Sequence, residues 1–164
     1  MKIILIGFMG SGKTAVARCL GCVLQLEVFD TDAIVLKETG LSNMEEVFAR
    51  GGELFLREME LMIAKKLAAR GNCVIATGGG MVQNKIVLDY LRQQQGIVYF
   101  LNCPFELCKS RVQVQDARPL FKNYEAAEHL YDLRLPLYMN YADEIVNVDG
   151  KTVVEIAEEI AYGQ

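Results

Sequence analysis

At 164 residues the chain has the size of one domain, large enough to bury roughly 70% of the surface it exposes when unfolded. Apolar residues make up 52% and charged residues 23%, with 14 Gly and 3 Pro, which excludes disordered, collagen-like and low-complexity chains. The net charge of -4 argues against a cationic protein that coats nucleic acid or an anionic membrane.

The apolar run Ile3 to Ile6 reads as a strand buried on both faces of a parallel sheet. It is far short of the ~20 residues of a membrane span, and it runs into a glycine loop with no small-residue cleavage site, so neither a transmembrane segment nor a signal peptide is expected. After the loop, Val16, Leu20, Val23 and Leu24 repeat at helical spacing. Leu26 to Phe29 reads as a second strand ending at Asp30, followed by a helical stretch after Thr31 that Thr39-Gly40 breaks. Ser42 with Glu45 three residues on predicts a capping box, and Arg50-Gly51-Gly52 predicts a break. Glu53 to Arg70 reads as a long helix, Cys73 to Thr77 as a strand ending in Gly78-Gly79-Gly80, Asn84 to Arg92 as a helix and Ile97 to Leu101 as a strand. Pro104 suits the first turn of a helix to about Arg111, and Val112 to Lys122 is polar and loop-like. A helix from about Tyr124 should end or kink near Pro136. Glu144 to Val148 reads as the last strand, and Val153, Ile156, Ala157 and Ile160 line a final helix. Strands alternating with helices in this order predict a three-layer α/β fold, a five-stranded parallel sheet with helices on both faces.

The five cysteines, an odd number without an export signal, suggest reduced thiols in the cytoplasm. Cys19 and Cys22 form a C-x-x-C inside an apolar helical pattern and read as helix packing. A zinc site is poorly supported, because His129, the one histidine, lies far along the chain and reads as a solvated helix residue.

Gly7-Phe8-Met9-Gly10-Ser11-Gly12-Lys13-Thr14 matches G-x-x-x-x-G-K-[ST], with a buried strand before it and an amphipathic helix after it. In such a loop backbone N–H groups converge on phosphate oxygens, and the helix N-terminus adds positive potential. Lys13 can bridge the β- and γ-phosphates and Thr14 can ligate Mg²⁺. No N-K-x-D motif follows, which disfavours a GTPase, and no Asp-Glu pair closes the strand Cys73 to Thr77, which disfavours a hydrolytic motor. A small kinase needs no water-activating carboxylate there, because its nucleophile is a substrate hydroxyl.

Asp30-Thr31-Asp32 falls at the carboxyl end of the second strand, the edge where open parallel sheets bind ligands. On an extended chain residues i and i+2 point the same way, so both carboxylates can face the phosphate site; the alternative is a helix N-cap. Gly78-Gly79-Gly80 makes sense where a substrate touches backbone, or as a flexible turn. Arg57 and Arg134 together would suit a carboxylate, gripped in bidentate fashion; each alone also fits a surface ion pair, Arg57 with Glu53. Arg118 lies in the polar loop, from which a cation can close over a transferring phosphoryl group.

These segments, in this order, give the chain a strong resemblance to the shikimate kinases over nearly all of its length. The matching pieces are the loop Gly7 to Thr14, Asp30-Thr31-Asp32, Gly52-Glu53 with Arg57 and Glu60, Gly78-Gly79-Gly80, Arg118-Pro119-Leu120, and Arg134-x-Pro136-Leu137-Tyr138. The resemblance implies a P-loop NTP hydrolase-like, nucleoside-monophosphate-kinase-like fold. It implies transfer of phosphate from ATP with Mg²⁺ to the 3-hydroxyl of shikimate, in the pathway to chorismate and aromatic amino acids. It also implies one kinase domain over 1–164, with a shikimate-binding segment at about 31–60 and a lid at about 112–123. Gly10, Ser11, Gly12, Lys13, Thr14 and Ala15 would wrap the phosphates, and Thr14 with Asp30 through water would hold Mg²⁺. Asp32 would bind the shikimate hydroxyls and act as base. Arg57 and Arg134 would clamp the carboxylate with help from Gly78, Gly79 and Gly80, over a floor that includes Phe48. Arg118 would reach the phosphates, while Arg111 and Lys151 would flank adenine. The implied protein is a cytoplasmic monomer without nucleic-acid or membrane partners. Leu56 stands where the family often has Phe, and the lid stretch Val112 to Ala117 lacks glycine. Gluconate kinase, nucleotide kinase and a non-enzymatic nucleotide-binding module are the competing readings.

Overall fold

The computed structural model describes residues 1–114 and 123–163. Its strands are β1 (Lys2–Ile6), β2 (Glu27–Asp30), β3 (Cys73–Ala76), β4 (Gly96–Asn102) and β5 (Glu144–Asn147). They form one sheet of order β2-β3-β1-β4-β5, parallel in every pairing among the described residues. Every residue of β1 and of β3 is buried. Alternate side chains leave a strand on opposite faces, so burial of all of them means that both faces are covered, as the apolar runs predict.

The helices are α1 (Lys13–Leu24), α2 (Thr31–Thr39), α3 (Met44–Ala68), α4 (Lys85–Leu91), α5 (Phe105–Val114), α6 (Tyr124–Tyr141) and α7 (Val153–Tyr162). Helix α1 packs on α7, and α3 packs on α2 and α4. Lys2 is the one charged residue inside β1, and it is fully buried. Its Nζ donates to the carbonyls of Leu67 (2.9 Å), Ala68 (3.2 Å) and Gln93 (3.1 Å). The ammonium thus meets the last carbonyls of α3, where the helix dipole favours a cation, while burial pulls its pKa down.

Three boundaries differ from the sequence reading. The cap of α3 is Asn43 rather than Ser42. Asn43 Oδ1 accepts from the Glu46 N–H (2.9 Å) and Glu46 Oε2 accepts from the Ser42 N–H (2.8 Å), because Asn caps as well as Ser and its partner lies one residue further on. The break at Arg50-Gly51-Gly52 is a kink inside one element: Gly52 alone leaves helical geometry, at φ 67° and ψ −163°. Helix α6 continues five residues past Pro136. Proline removes one helical hydrogen bond there, and the buried side chains Arg134 and Tyr138 on either side hold the helix to the core. In the expected lid, Val112 to Val114 belong to α5; Arg118 and residues 115–122 lie outside the described residues.

The connection from β1 runs through α1 toward the β2 edge, and that from β3 runs through α4 toward β4 on the other side. Such reversal leaves a crevice at the carboxyl ends of β1 and β3, where a doubly wound sheet binds its ligand.

Candidate active site

The loop from Gly7 to Gly12 leaves β1 at this crevice and delivers Lys13 as the first residue of α1. Gly12 caps the helix in the left-handed region, at φ 96°. At Gly10 a side chain has no room: a Cβ would lie 2.6 Å from the Cys108 carbonyl oxygen. The loop therefore lies flush on α5, and α5 supplies Arg111, whose Nη1 donates to the carbonyls of Gly10 (3.4 Å) and Ser11 (3.3 Å).

Lys13 is buried. Its Nζ turns back over the loop and donates to the carbonyls of Gly7 (2.7 Å) and Phe8 (2.9 Å), which supply the acceptors that water would otherwise provide. Thr14 Oγ1 donates to Asp30 Oδ2 at 2.6 Å. A hydroxyl and a carboxylate oxygen this close make the donor set of a hard cation. They suit Mg²⁺, which is held by one or two protein oxygens and otherwise by waters and substrate phosphates.

Asp30 does both things the sequence left open. It is the N-cap of α2, its Oδ1 accepting from the N–H groups of Asp32 (3.0 Å) and Ala33 (3.2 Å), while Oδ2 takes the Thr14 hydroxyl. The reasoning that aimed Asp32 by extended-chain geometry fails, because Asp32 lies in the first turn of α2. Both carboxylates nevertheless line one cavity of about 490 Å³ with residues 9–16 and Gly79. Arg111 and Lys151 line it too, and Lys151 is paired with Glu159 on α7.

Each glycine after β3 meets a different charged side chain. A Cβ on Gly78 would lie 2.6 Å from Asp32 Oδ1, one on Gly79 would lie 3.7 Å from Arg134 Nη1, and one on Gly80 would lie 2.3 Å from Arg57 Nη2. This chain's own side chains thus close in on Gly78 and Gly80; only Gly79 of the three lines the cavity. The turn is anchored by Thr31, buried between the two aspartates, whose Oγ1 accepts from the Gly78 N–H at 2.8 Å.

Arg57 Nη2 does pair with Glu53 (3.1 Å), but its Nη1 also donates to the buried Glu60 (2.7 Å) and Nη2 to Gln83 beyond the glycine turn (3.0 Å). Burial works to lower the Arg57 pKa, and the two glutamates outweigh it, so the net shift is upward. Burial raises that of Glu60 against the pull of Arg57. Arg134 is 6% exposed, and its Nε is buried with no hydrogen-bond partner among the described residues. Burial depresses its pKa, and the Arg57 charge depresses it further.

Phe48, like Arg57 and Arg134, is not among the residues that line that cavity. It is 41% exposed near the start of α3, where neighbouring Val47 takes the buried side and Phe48, about 100° round the helix, faces out. Leu56 is buried in the core, and Phe55 beside it is half-buried under the Arg50 guanidinium. His129 is exposed on α6 and all five cysteines are free thiols, as the sequence predicts. Residue-by-residue reading assigned no role to Thr31, Gln83 or Tyr138. For Tyr138 a signal was present, since it lies four residues after Arg134 and so on the same helix face.

A strand, a glycine loop, a Lys-Thr helix start and a carboxylate on the adjoining strand end define a P-loop nucleotide-binding domain of the small phosphotransferase kind. Comparison with known proteins narrows the class. The chain matches the family model described as shikimate kinase over residues 9–162. It is 38% identical over 162 residues to a shikimate kinase of Caldicellulosiruptor bescii, covering 97% of this chain and 92% of that one. It is 39% identical over 161 residues to one from Moorella thermoacetica, covering 97% and 91%. The solved structure of shikimate kinase from Acinetobacter baumannii in complex with shikimate superposes with a TM-score of 0.90 at 31% identity, covering 98% of this chain and 90% of that one. The chain belongs to the shikimate kinase family.

Proposed function

We infer that this chain transfers the terminal phosphoryl group of ATP to the 3-hydroxyl of shikimate, giving shikimate 3-phosphate and ADP, in the pathway to chorismate and aromatic amino acids. The observation that carries the reading is the meeting of Asp32, Arg134 and Arg57 at three successive glycines beside the phosphate loop. A carboxylate, two guanidinium groups and a nucleotide site match an acceptor that bears both hydroxyls and a carboxylate. Gluconate kinase, nucleotide kinase and a non-enzymatic module explain that arrangement less well.

In this reading the N–H groups of Gly10 to Ala15 and the Lys13 ammonium hold the phosphates, with Arg111 and Lys151 on either side of the base. Thr14, with Asp30 through water, would hold Mg²⁺, which when bound neutralises charge on the phosphate oxygens. Asp32 orients the acceptor hydroxyl and takes its proton, and Gly78 sets its reach by leaving the carboxylate room against the backbone. Arg57 and Arg134 receive the substrate carboxylate beside Gly79 and Gly80. Arg118, from the segment at about 112–123, supplies a further cation to the phosphates. The proposal extends to a single-domain, monomeric, cytoplasmic enzyme; no helix among the described residues is long and apolar enough to cross a membrane.

The test is ADP release coupled to an optical readout, with shikimate, gluconate and nucleoside monophosphates supplied in parallel. Turnover with shikimate at least a hundredfold above the others is expected. Preference for gluconate or a nucleotide would overturn the assignment.

A further inference from the structure

Tyr138 is almost wholly buried, yet its phenol is not a filler of apolar space. It lies one turn after Arg134 on α6, on the same face of the helix. Its ring stacks on Phe100 of β4, centroids 5.1 Å apart and planes 17° from parallel, which leaves the hydroxyl little freedom to swing. The hydroxyl donates to the Gly79 carbonyl at 2.6 Å, and the positive charge of Arg134 draws the phenol's pKa down against the larger rise that burial imposes. Donor and acceptor roles are forced. A carbonyl can only accept, so the single phenol proton goes to Gly79.

We propose that Tyr138 is a positioning residue that pins the triple-glycine turn beside Arg134 and so sets the affinity of the site for the acceptor's carboxylate. The proposal rests on the assignment of shikimate as acceptor. Two consequences of the geometry support it. A planar trans peptide places the Gly80 N–H opposite the Gly79 carbonyl, so pinning that carbonyl fixes where the Gly80 N–H points. A Cβ on Gly79 would lie 3.7 Å from Arg134 Nη1, so the turn that Tyr138 pins runs alongside the guanidinium. Burial raises the phenol's pKa and keeps the proton on at neutral pH, as the donor role requires.

Tyr138→Phe keeps the ring and its stacking and removes only the hydroxyl. KM for shikimate should rise roughly three- to tenfold, the size expected when one neutral hydrogen bond is lost. KM for ATP should stay within twofold and kcat within threefold. The carboxamide analogue of shikimate should lose less than threefold. A shikimate KM within twofold of wild type overturns the proposal. So does an equal rise in both KM values, which is what a merely structural role would produce. Should Tyr138→Phe fail to fold, Phe100→Leu decides: it frees the ring while leaving every polar group in place, and a flat shikimate KM overturns the proposal. Wild-type turnover in the same assay separates the two questions. No turnover of shikimate by wild type refutes the acceptor assignment, whereas normal wild-type turnover with an unchanged variant refutes the role of Tyr138 alone.

Discussion

Arg57 and Arg134 serve one anion in the proposed reaction, but their surroundings predict opposite effects on stability when each is replaced by Met. Arg57 answers the buried carboxylate of Glu60 at 2.7 Å. Arg57→Met would leave that carboxylate in a dry site without its closest cation, a change that costs about 3–5 kcal/mol for a fully buried pair. Arg57 keeps 17% side-chain exposure and Arg134 remains nearby, so about 2–3 kcal/mol is the better figure, or a fall in Tm of roughly 4–10 °C. Arg134 is the reverse case: a buried cation whose Nε has no hydrogen-bond partner among the described residues and whose pKa burial depresses. Arg134→Met exchanges it for an apolar chain of similar length and should raise Tm by about 2–4 °C, or roughly 1 kcal/mol. The sign with pH is also fixed. Without Arg57 the folded-state pKa of Glu60, already raised by burial, moves higher still. A raised carboxyl pKa destabilises the fold at pH values above it, and that penalty disappears as pH falls toward the unfolded value near 4.3. The Tm deficit of Arg57→Met should therefore shrink between pH 7 and pH 5, while the gain from Arg134→Met should not. Both variants should raise KM for shikimate about ten- to a hundredfold. Thermal melts across pH and coupled kinetics on the same preparations suffice. Shifts of Tm in the same direction would refute the electrostatic reasoning.

Asp32→Asn should fold and bind ATP normally while losing about 10²-fold in kcat, the low end for loss of a base where positioning carries much of phosphoryl transfer; wild-type turnover would remove Asp32 from that role. Lys13→Ala should abolish most turnover and also lower Tm by roughly 2–6 °C, because the carbonyls of Gly7 and Phe8 lose a charged donor worth about 1–2 kcal/mol; an unchanged melt would contradict the burial of this lysine. Gly80→Ala should raise KM for shikimate at least tenfold with Tm within about 3 °C, since the new Cβ meets only the flexible end of Arg57, at 2.3 Å; a steep loss of Tm would mean that the turn itself cannot carry a side chain.

The nucleotide half of the site was legible because it is contiguous. One strand, one loop and one helix start lie within fourteen residues, and the residue spacing is itself the geometry. Apolar runs placed the strands for the same local reason. What the sequence could not reveal depended on contacts across the fold. The burial of Lys13 depends on where its ammonium turns after leaving α1. The aim of Asp32 depends on α2 starting directly at Thr31, with Asp30 as cap. The exposure of Phe48 depends on which face of α3 turns inward before the Gly52 kink, which one aromatic residue does not reveal. The glycine triplet was legible as a place for a substrate or as a flexible turn, while the side chains that meet Gly78 and Gly80, Asp32 and Arg57, come from distant elements.

The acceptor half depends instead on strand register. Ala76, the last residue of β3, pairs with Asp30 on one side and Leu5 on the other. Thr77 continues the lock, donating from both its N–H (3.1 Å) and its hydroxyl (2.8 Å) to the Leu5 carbonyl. From that point the chain has three residues in which to meet Asp32 from α2, Arg134 from α6 and Arg57 from α3. A slip of β3 by one residue would bring Gly79 to Asp32 and Gly80 to Arg134, and it would present Met81, which is fully buried, to the Arg57 guanidinium. It would also exchange the two faces of a strand buried on both, with its packing fitted to neither. The packing of Cys73 to Ala76 therefore does more than fill the core. It decides which glycine each charged group finds, and through that the distance between the phosphate loop and the groups that face the acceptor.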